Sequence, residues 1–437
     1  MQNIPESENQ PRIPENREIM LALSRMMDHW SSELYRRRNH DESKVPPWKF
    51  LPLPETLEEW EMERKNILKL VEEHIYGAVP PPPDKLEVRL LAEKHGALNG
   101  LAYRREIRIY CKLNDGRVHD FDMLLYVPEN ASGKVPVFVG LNFNGNQANT
   151  PDDDVRLTRG PAHVAKHWWR SAVTTDDKRF EKIDSWNFVE AIQRGYAVAT
   201  ANFNEIFPDN PFGFAKSIYT LFKTPEELAE LPEPPIAPRN YGAISAWAWG
   251  LSRMMDVLED IPEVDTEKAA VLGHSRLGKT ALWAGVNDER FKLVISNNSG
   301  CMGAAPSCRV YGERPGHLAY IQRFWFSDKF IEYAEREDTL PVDQHQLLAL
   351  IAPRTVYVAS SSEDYGADPY GEFLSAKEAA GIWALYGREN DFPDSFPELN
   401  KSVGSSVKYH CKTGGHSITA ADWQHYYECA DKLFKQQ

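Results

Sequence analysis

The chain has 437 residues, 42% of them hydrophobic, enough to bury a large core. Its formal net charge of −14 argues against nucleic acid or an anionic membrane surface as partner. No apolar run is long enough to cross a bilayer.

Met1 to Gln10 is polar and acidic, without a basic start or an apolar stretch, and does not read as a signal peptide. The expectation is a cytoplasmic protein, or a mature or truncated form of an exported one. Helices are predicted near residues 16–37 and 54–76, followed by a stiff connector, Pro80-Pro81-Pro82-Pro83. Residues 1–83 thus read as a helical extension and 84–437 as one domain. Strand-like runs follow at 106–110, 121–127 and 135–139. Further strands at 197–201, 269–272, 293–296, 356–359 and 407–410 alternate with helical segments, one of them 243–258. That alternation predicts an α/β fold with a mostly parallel central sheet covered by helices on both faces. Twelve tryptophans suit a large core, or a groove that stacks on sugar rings.

The most informative stretch is Gly273-His274-Ser275-Arg276-Leu277-Gly278-Lys279, between an apolar strand and a helix-forming run. A serine at a sharp strand-to-helix turn stands clear of the sheet, where a histidine can take its proton. Small residues let the backbone make the turn, although the second glycine here comes three residues after the serine rather than two.

In such a sheet, chemistry sits at the carboxyl ends of the strands. The last strand is followed by Thr413-Gly414-Gly415-His416, making His416 the expected base, with His410 and His345 as second choices. The loop after 356–359 offers Glu363, Asp364 and Asp368 as the acid that orients the base. Asp364 is preferred, Glu363 is the alternative, and Asp368, before a proline, reads as a turn residue. The Arg276 amide is one expected oxyanion donor, and a second is expected from the loop 140–146. The Arg276 guanidinium either adds charge there or pairs with an acid on the helix. Lys279, one turn along from Ser275, is placed to meet a substrate hydroxyl or is simply a solvated helix lysine. Five cysteines cannot all pair; Cys301 and Cys308 are close enough in sequence to bridge. No Cys/His spacing suggests a metal site, and neither metal nor cofactor is expected.

The segments 243–253 and 271–285, with the G-x-S-R-x-G-K elbow, resemble the bacterial glucuronoyl esterases of carbohydrate esterase family 15. The resemblance continues through 296–305, 341–347, Ile351-Ala352-Pro353-Arg354 and Gly371-Glu372-Phe373 to Gly415-His416. It implies an α/β-hydrolase fold and a serine esterase acting on esters of 4-O-methyl-glucuronic acid, which join glucuronoxylan side chains to lignin alcohols. It further implies Ser275 and His416 as nucleophile and base, Arg276 supporting the oxyanion, Lys279 contacting the sugar, Trp325 in the cleft and Glu313 binding substrate. The resemblance suggests a secreted or periplasmic mature form, and a monomer is expected. Two departures stand out. Asn298 in Ser296-Asn297-Asn298-Ser299-Gly300 replaces the family's usual triad glutamate, while Asp364 matches the acid that some bacterial relatives carry after the later strand. Tyr365-Gly366 stand where relatives often have a tryptophan, leaving one sugar-stacking wall open to question. Three rival readings remain: another carbohydrate esterase, such as an acetyl-xylan esterase; a peptidase of the same fold, disfavoured because no propeller-like repeat region is present in the sequence; and a non-catalytic carbohydrate-binding relative.

Overall fold

Consecutive apolar residues in a strand point to opposite faces, so an unbroken apolar run belongs to a strand buried on both sides. The runs Val135–Asn142 (β4) and Ala197–Asn202 (β5) are of this kind, with almost every residue buried. In β4, Val137 and Val139 enter one core while Phe138 enters another on the opposite face. In Val264–His274 (β6), Val271 faces the first core, and Ala270 and Leu272 the second.

The structure is a computed structural model that describes residues 33, 36–47, 49–160, 162–163, 171–172, 174–211, 213–224, 226–227, 242–389 and 391–435. The expected helix at 16–37 falls almost wholly outside these residues. The described residues form a nine-stranded sheet that also contains Lys85–Gly96 (β1), Ala102–Lys112 (β2), Val118–Pro128 (β3), Phe291–Asn297 (β7), Thr355–Ser361 (β8) and Val407–Lys412 (β9). The strand order is β1-β2-β3-β5-β4-β6-β7-β8-β9. The pairings among β1, β2, β3 and β5 are antiparallel, and all pairings from β5 through β4 to β9 are parallel. Strand β1 was not expected from sequence. Its alternating charges, Glu87, Arg89, Glu93 and Lys94, suit a sheet edge, where one side faces water.

One face is covered by Ala243–Glu259 (α3) and Arg276–Asn287 (α4), through Trp247, Leu251, Leu282 and Trp283. The other face is covered by Phe188–Gln193 (α2) and Ala420–Phe434 (α8), through Phe188, Ile192, Trp423 and Tyr427. Leu57–Val71 (α1) places Trp60, Ile67 and Val71 in the same core as α3 and α4, and Trp60 Nε1 donates to Tyr386 Oη at 3.2 Å. Residues 60–76 therefore share the core of the sheet. The α/β reading holds. The bridge considered between Cys301 and Cys308 does not form, since all five cysteines are free thiols.

Candidate active site

Four adjacent parallel strands each end at a residue of one cavity: β6 at Ser275, β7 at Asn298, β8 near Asp364 and β9 near His416. Ser275 has φ 58° and ψ −128°, a backbone state that costs energy and is held by its surroundings. Its N–H donates to Asn297 O at 2.8 Å, and its carbonyl accepts from Gly278 N at 2.8 Å and Lys279 N at 3.2 Å, which starts α4. The two glycines of the motif have separate causes. A Cβ on Gly273 would lie 1.8 Å from Leu277 O, and one on Gly278 would lie 3.0 Å from Ser299 Cβ. The second glycine thus serves the packing of α4 against the loop after β7, which explains its position three residues past the serine.

Glycine also shapes the histidine loop. Gly414 has φ 120°, and its carbonyl accepts from Glu363 N at 2.8 Å, joining the loops after β8 and β9. His416 Nδ1 then meets Asp364 Oδ2 at 2.5 Å. With Nδ1 donating to the carboxylate, Nε2 carries the lone pair, the form a general base needs. Burial pushes the Asp364 carboxyl upward, but its bond to His416 and that ring's charge outweigh this and hold it below the usual range. Glu363 is solvent-exposed at the cavity rim and makes no side-chain bond to His416. Of the two candidate acids, Asp364 is the one in contact with His416. His410 is fully buried against Asp422 at 2.9 Å, and His345 Nε2 meets Leu51 O at 2.7 Å, so neither second-choice histidine reaches the cavity. Asp368 caps the helix Pro369–Leu385 (α7), as its turn chemistry suggested.

Asn298 stands beside the acid. Its Nδ2 donates to Asp364 Oδ2 at 2.8 Å, and its Oδ1 accepts from Ser361 Oγ at 3.2 Å. Beneath His416 lies His274, with ring centroids 4.5 Å apart. His274 Nδ1 meets Asn297 Oδ1 at 2.6 Å, and burial drops its pKa to about 3, so it stays neutral beside the base.

Arg276 opens α4, so its amide has no intrahelical acceptor and faces the cavity end of the helix dipole. Its guanidinium pairs with buried Asp209, from the loop after β5, and lies 4.7 Å from the Trp325 ring centroid. Trp325 Nε1 also donates to Asp209, at 2.8 Å. Trp325 does line the cavity, but its ring carries Arg276. The exposed ring in the wall is instead Tyr365, where a tryptophan was looked for. The expected oxyanion loop starts later than predicted, because β4 runs on to Asn142. Asn142 is a buried strut bonded to Asn146 and Thr200, and Phe143 and Asn144 are the loop residues on the cavity.

Lys279 is buried rather than solvated. Its Nζ donates to Ser299 O at 2.5 Å, and burial lowers its pKa. Glu313 faces the same cavity, paired with Arg38. The cavity has a volume of about 990 Å³, enough for a sugar ester and its alcohol. Asp209 and Arg38 escaped the sequence reading, and Glu372 entered it only within the matched stretch Gly371-Glu372-Phe373, without a role. Glu372 is buried below the loop after β7, accepting from Gly300 N at 2.8 Å and Ser360 Oγ at 2.6 Å. Among the described residues no cluster of three or more His, Cys, Asp or Glu is placed to hold a metal.

The glucuronyl esterase family model, described for fungi, matches residues 237–387. A carbohydrate esterase from an unknown prokaryotic organism is 38% identical over 407 residues, covering 90% of this chain and 91% of its own. The chain belongs to carbohydrate esterase family 15. A glucuronoyl esterase structure from Solibacter usitatus superposes with a TM-score of 0.81 at 36% identity, covering 90% of this chain and all of the other. A promiscuous family 15 esterase from a marine bacterial metagenome gives 0.79 at 37% identity, with coverage of 90% and 99%. The 4-O-methyl-glucuronoyl methylesterase of Hypocrea jecorina is 40% identical over 134 residues, 28% of this chain and 29% of that one. The protein is a carboxylic ester hydrolase of the α/β-hydrolase fold.

Proposed function

We propose that this esterase cleaves esters of 4-O-methyl-glucuronic acid, of the kind that join glucuronoxylan to lignin alcohols, through an acyl-enzyme on Ser275. The observation that carries the reading is the His416–Asp364 pair at 2.5 Å, opening onto the cavity that also holds the strained Ser275. His416 Nε2 takes the Ser275 proton as Oγ attacks the ester carbonyl. The Arg276 amide and guanidinium stabilise the oxyanion, and Trp325 and Asp209 hold that guanidinium in place. The imidazolium, stabilised by Asp364, protonates the leaving alcohol. Water then attacks the acyl-enzyme with His416 again as base.

The acyl half is assigned to sugar acids because one wall presents Lys279, Glu313 and Tyr365, polar groups suited to ring hydroxyls and an aromatic face. Support comes also from relatives named as 4-O-methyl-glucuronoyl methylesterases. The test is steady-state hydrolysis of benzyl glucuronate beside 4-nitrophenyl acetate. Higher kcat/KM on the glucuronate supports the reading. Turnover of acetate alone points to an acetyl esterase, and binding of glucuronoxylan without turnover of either ester points to a non-catalytic relative.

A further inference from the structure

The cavity wall around Glu313 is completed by a segment that precedes the sheet. Residues 38–42 are laced to the loop 309–313. Asn39 Nδ2 donates to Val310 O at 2.9 Å, and Gly312 N donates to Asn39 O at 2.8 Å. Buried Arg309 bonds Glu42 on one side and donates to Asp368 Oδ2 at 2.8 Å on the other. The loop 309–313 is in turn stitched to the loop that carries Asp364, through Glu313 N to Gly366 O at 2.9 Å. Gly312 has φ 57°, and a Cβ there would lie 2.4 Å from Tyr365 O, so the two loops meet at a distance only glycine permits.

Arg38 sits at the centre of this stack. Its side chain is 8% exposed, and Nη2 donates to Glu313 Oε1 at 2.8 Å. Its Nη1 would lie 3.2 Å from a Cβ built on Gly366, so the guanidinium is wedged between the two loops. Arg38 and Glu313 both face the Ser275 cavity. Lys279 and His317 are further basic neighbours of Glu313 on this wall. Lys279 donates to Ser299 O, and burial holds His317 at about 4, hence neutral. Among the described residues no hydrogen bond to Glu313 Oε2 is found. A carboxylate in a cavity wall with one oxygen held by a guanidinium is a strong, oriented acceptor for hydroxyl donors.

We propose that Arg38 is a substrate-positioning residue for the acyl half of the ester. It locks Glu313 so that the carboxylate accepts from ring hydroxyls of a uronosyl group, and residues 38–42 thereby set selectivity for sugar acids over simple acyl groups. The proposal rests on the sugar-ester reading above.

The experiment compares wild type, Arg38→Met, Arg38→Lys, Glu313→Gln and the double variant on benzyl glucuronate and 4-nitrophenyl acetate. A bond to a charged group corresponds to roughly tenfold to hundredfold in binding. Arg38→Met is expected to raise KM for the glucuronate by about that factor with kcat changed less than about threefold, and to cut the glucuronate-to-acetate ratio of kcat/KM at least about tenfold. Arg38→Lys is expected to recover part of the loss, since it restores the charge but not the fork. The double variant is expected to be little worse than Glu313→Gln alone, because both changes break one contact. Equal losses on the two esters, or losses that multiply in the double variant, would overturn the proposal. If Arg38→Met does not fold, Arg38→Lys and Glu313→Gln still decide it, since a glucuronate-to-acetate ratio unchanged in both contradicts it. A wild-type enzyme inactive on glucuronate would sink the sugar-ester reading and this proposal together. A glucuronate preference that Arg38 variants leave intact sinks this one alone.

Discussion

Asn298 Nδ2 lies 2.8 Å from Asp364 Oδ2, the oxygen that also meets His416. The Asn298 amide is therefore a donor to the carboxylate that holds His416, the proposed triad acid. The two positions converge on one point because β7 and β8 are adjacent parallel strands, and their carboxyl-end loops rise side by side.

That convergence gives the first prediction. Asp364→Asn keeps the shape but removes the charge that stabilises the imidazolium, and should lower kcat on the order of 10³–10⁴-fold. Glu363→Gln, on an exposed side chain, should stay within about twofold of wild type. Steady-state kinetics on benzyl glucuronate checks both, and a crippled Glu363→Gln beside an active Asp364→Asn would reverse the assignment.

Asn298→Ala removes one donor to Asp364 while leaving the His416 bond. About threefold to tenfold in kcat/KM is expected, less than a full charged hydrogen bond because the carboxylate keeps a partner. The readout is kcat/KM across neutral pH. Losing a donor to the ionised form changes the pH dependence only where Asp364 itself protonates, on the far acid side, so the expected loss at neutral pH is a uniform drop in kcat/KM. Activity equal to wild type at neutral pH would mean that Asn298 only shapes the loop.

Arg276→Ala should raise the barrier by about 2.7–4 kcal/mol, mainly in kcat. It should also lower stability by about 3–5 kcal/mol, because it leaves Asp209 buried without its cation. Asp209→Asn retains the bond geometry but frees Arg276 from its charge partner, and is expected to be catalytically milder. Chemical denaturation and kinetics on the same preparations test the pair of effects. Full stability in Arg276→Ala would contradict the ion pair's role.

Glu372 is fully buried, and burial raises its pKa from about 4.5 to about 8. The native state therefore holds a proton that the unfolded chain releases between those values, so this group's contribution to stability falls as pH rises from about 4.5 to 8. Thermal unfolding should show Tm declining across that window, and Glu372→Gln should flatten the decline. A variant with the same slope as wild type would assign the pH dependence to other groups.

The fold was legible where burial is continuous. Apolar runs such as Ala269-Ala270-Val271-Leu272 announce parallel strands, and Ser275, Asp364 and His416 could be named as candidates because each follows such a run closely. Strand β1 was not, since Glu87, Arg89 and Glu93 interrupt its apolar pattern at the sheet edge. Arg38 had no local signal at all, because it meets Glu313 across 275 residues of sequence. Asp209 lies in a loop that carries no motif of its own, and its pairing with Arg276 exists only after β5 and β6 are placed on either side of β4. Trp325 lines the cavity, and its place under Arg276 depends on that same tertiary contact.

The central claim is that Ser275 is the nucleophile of uronoyl ester hydrolysis. The most direct measurement is benzyl alcohol release from benzyl glucuronate by wild type and Ser275→Ala, alongside glucuronate binding to both by calorimetry. The account predicts turnover by wild type, a loss on the order of 10⁴-fold or more in kcat for Ser275→Ala, and similar binding. Near-normal turnover by Ser275→Ala would contradict it.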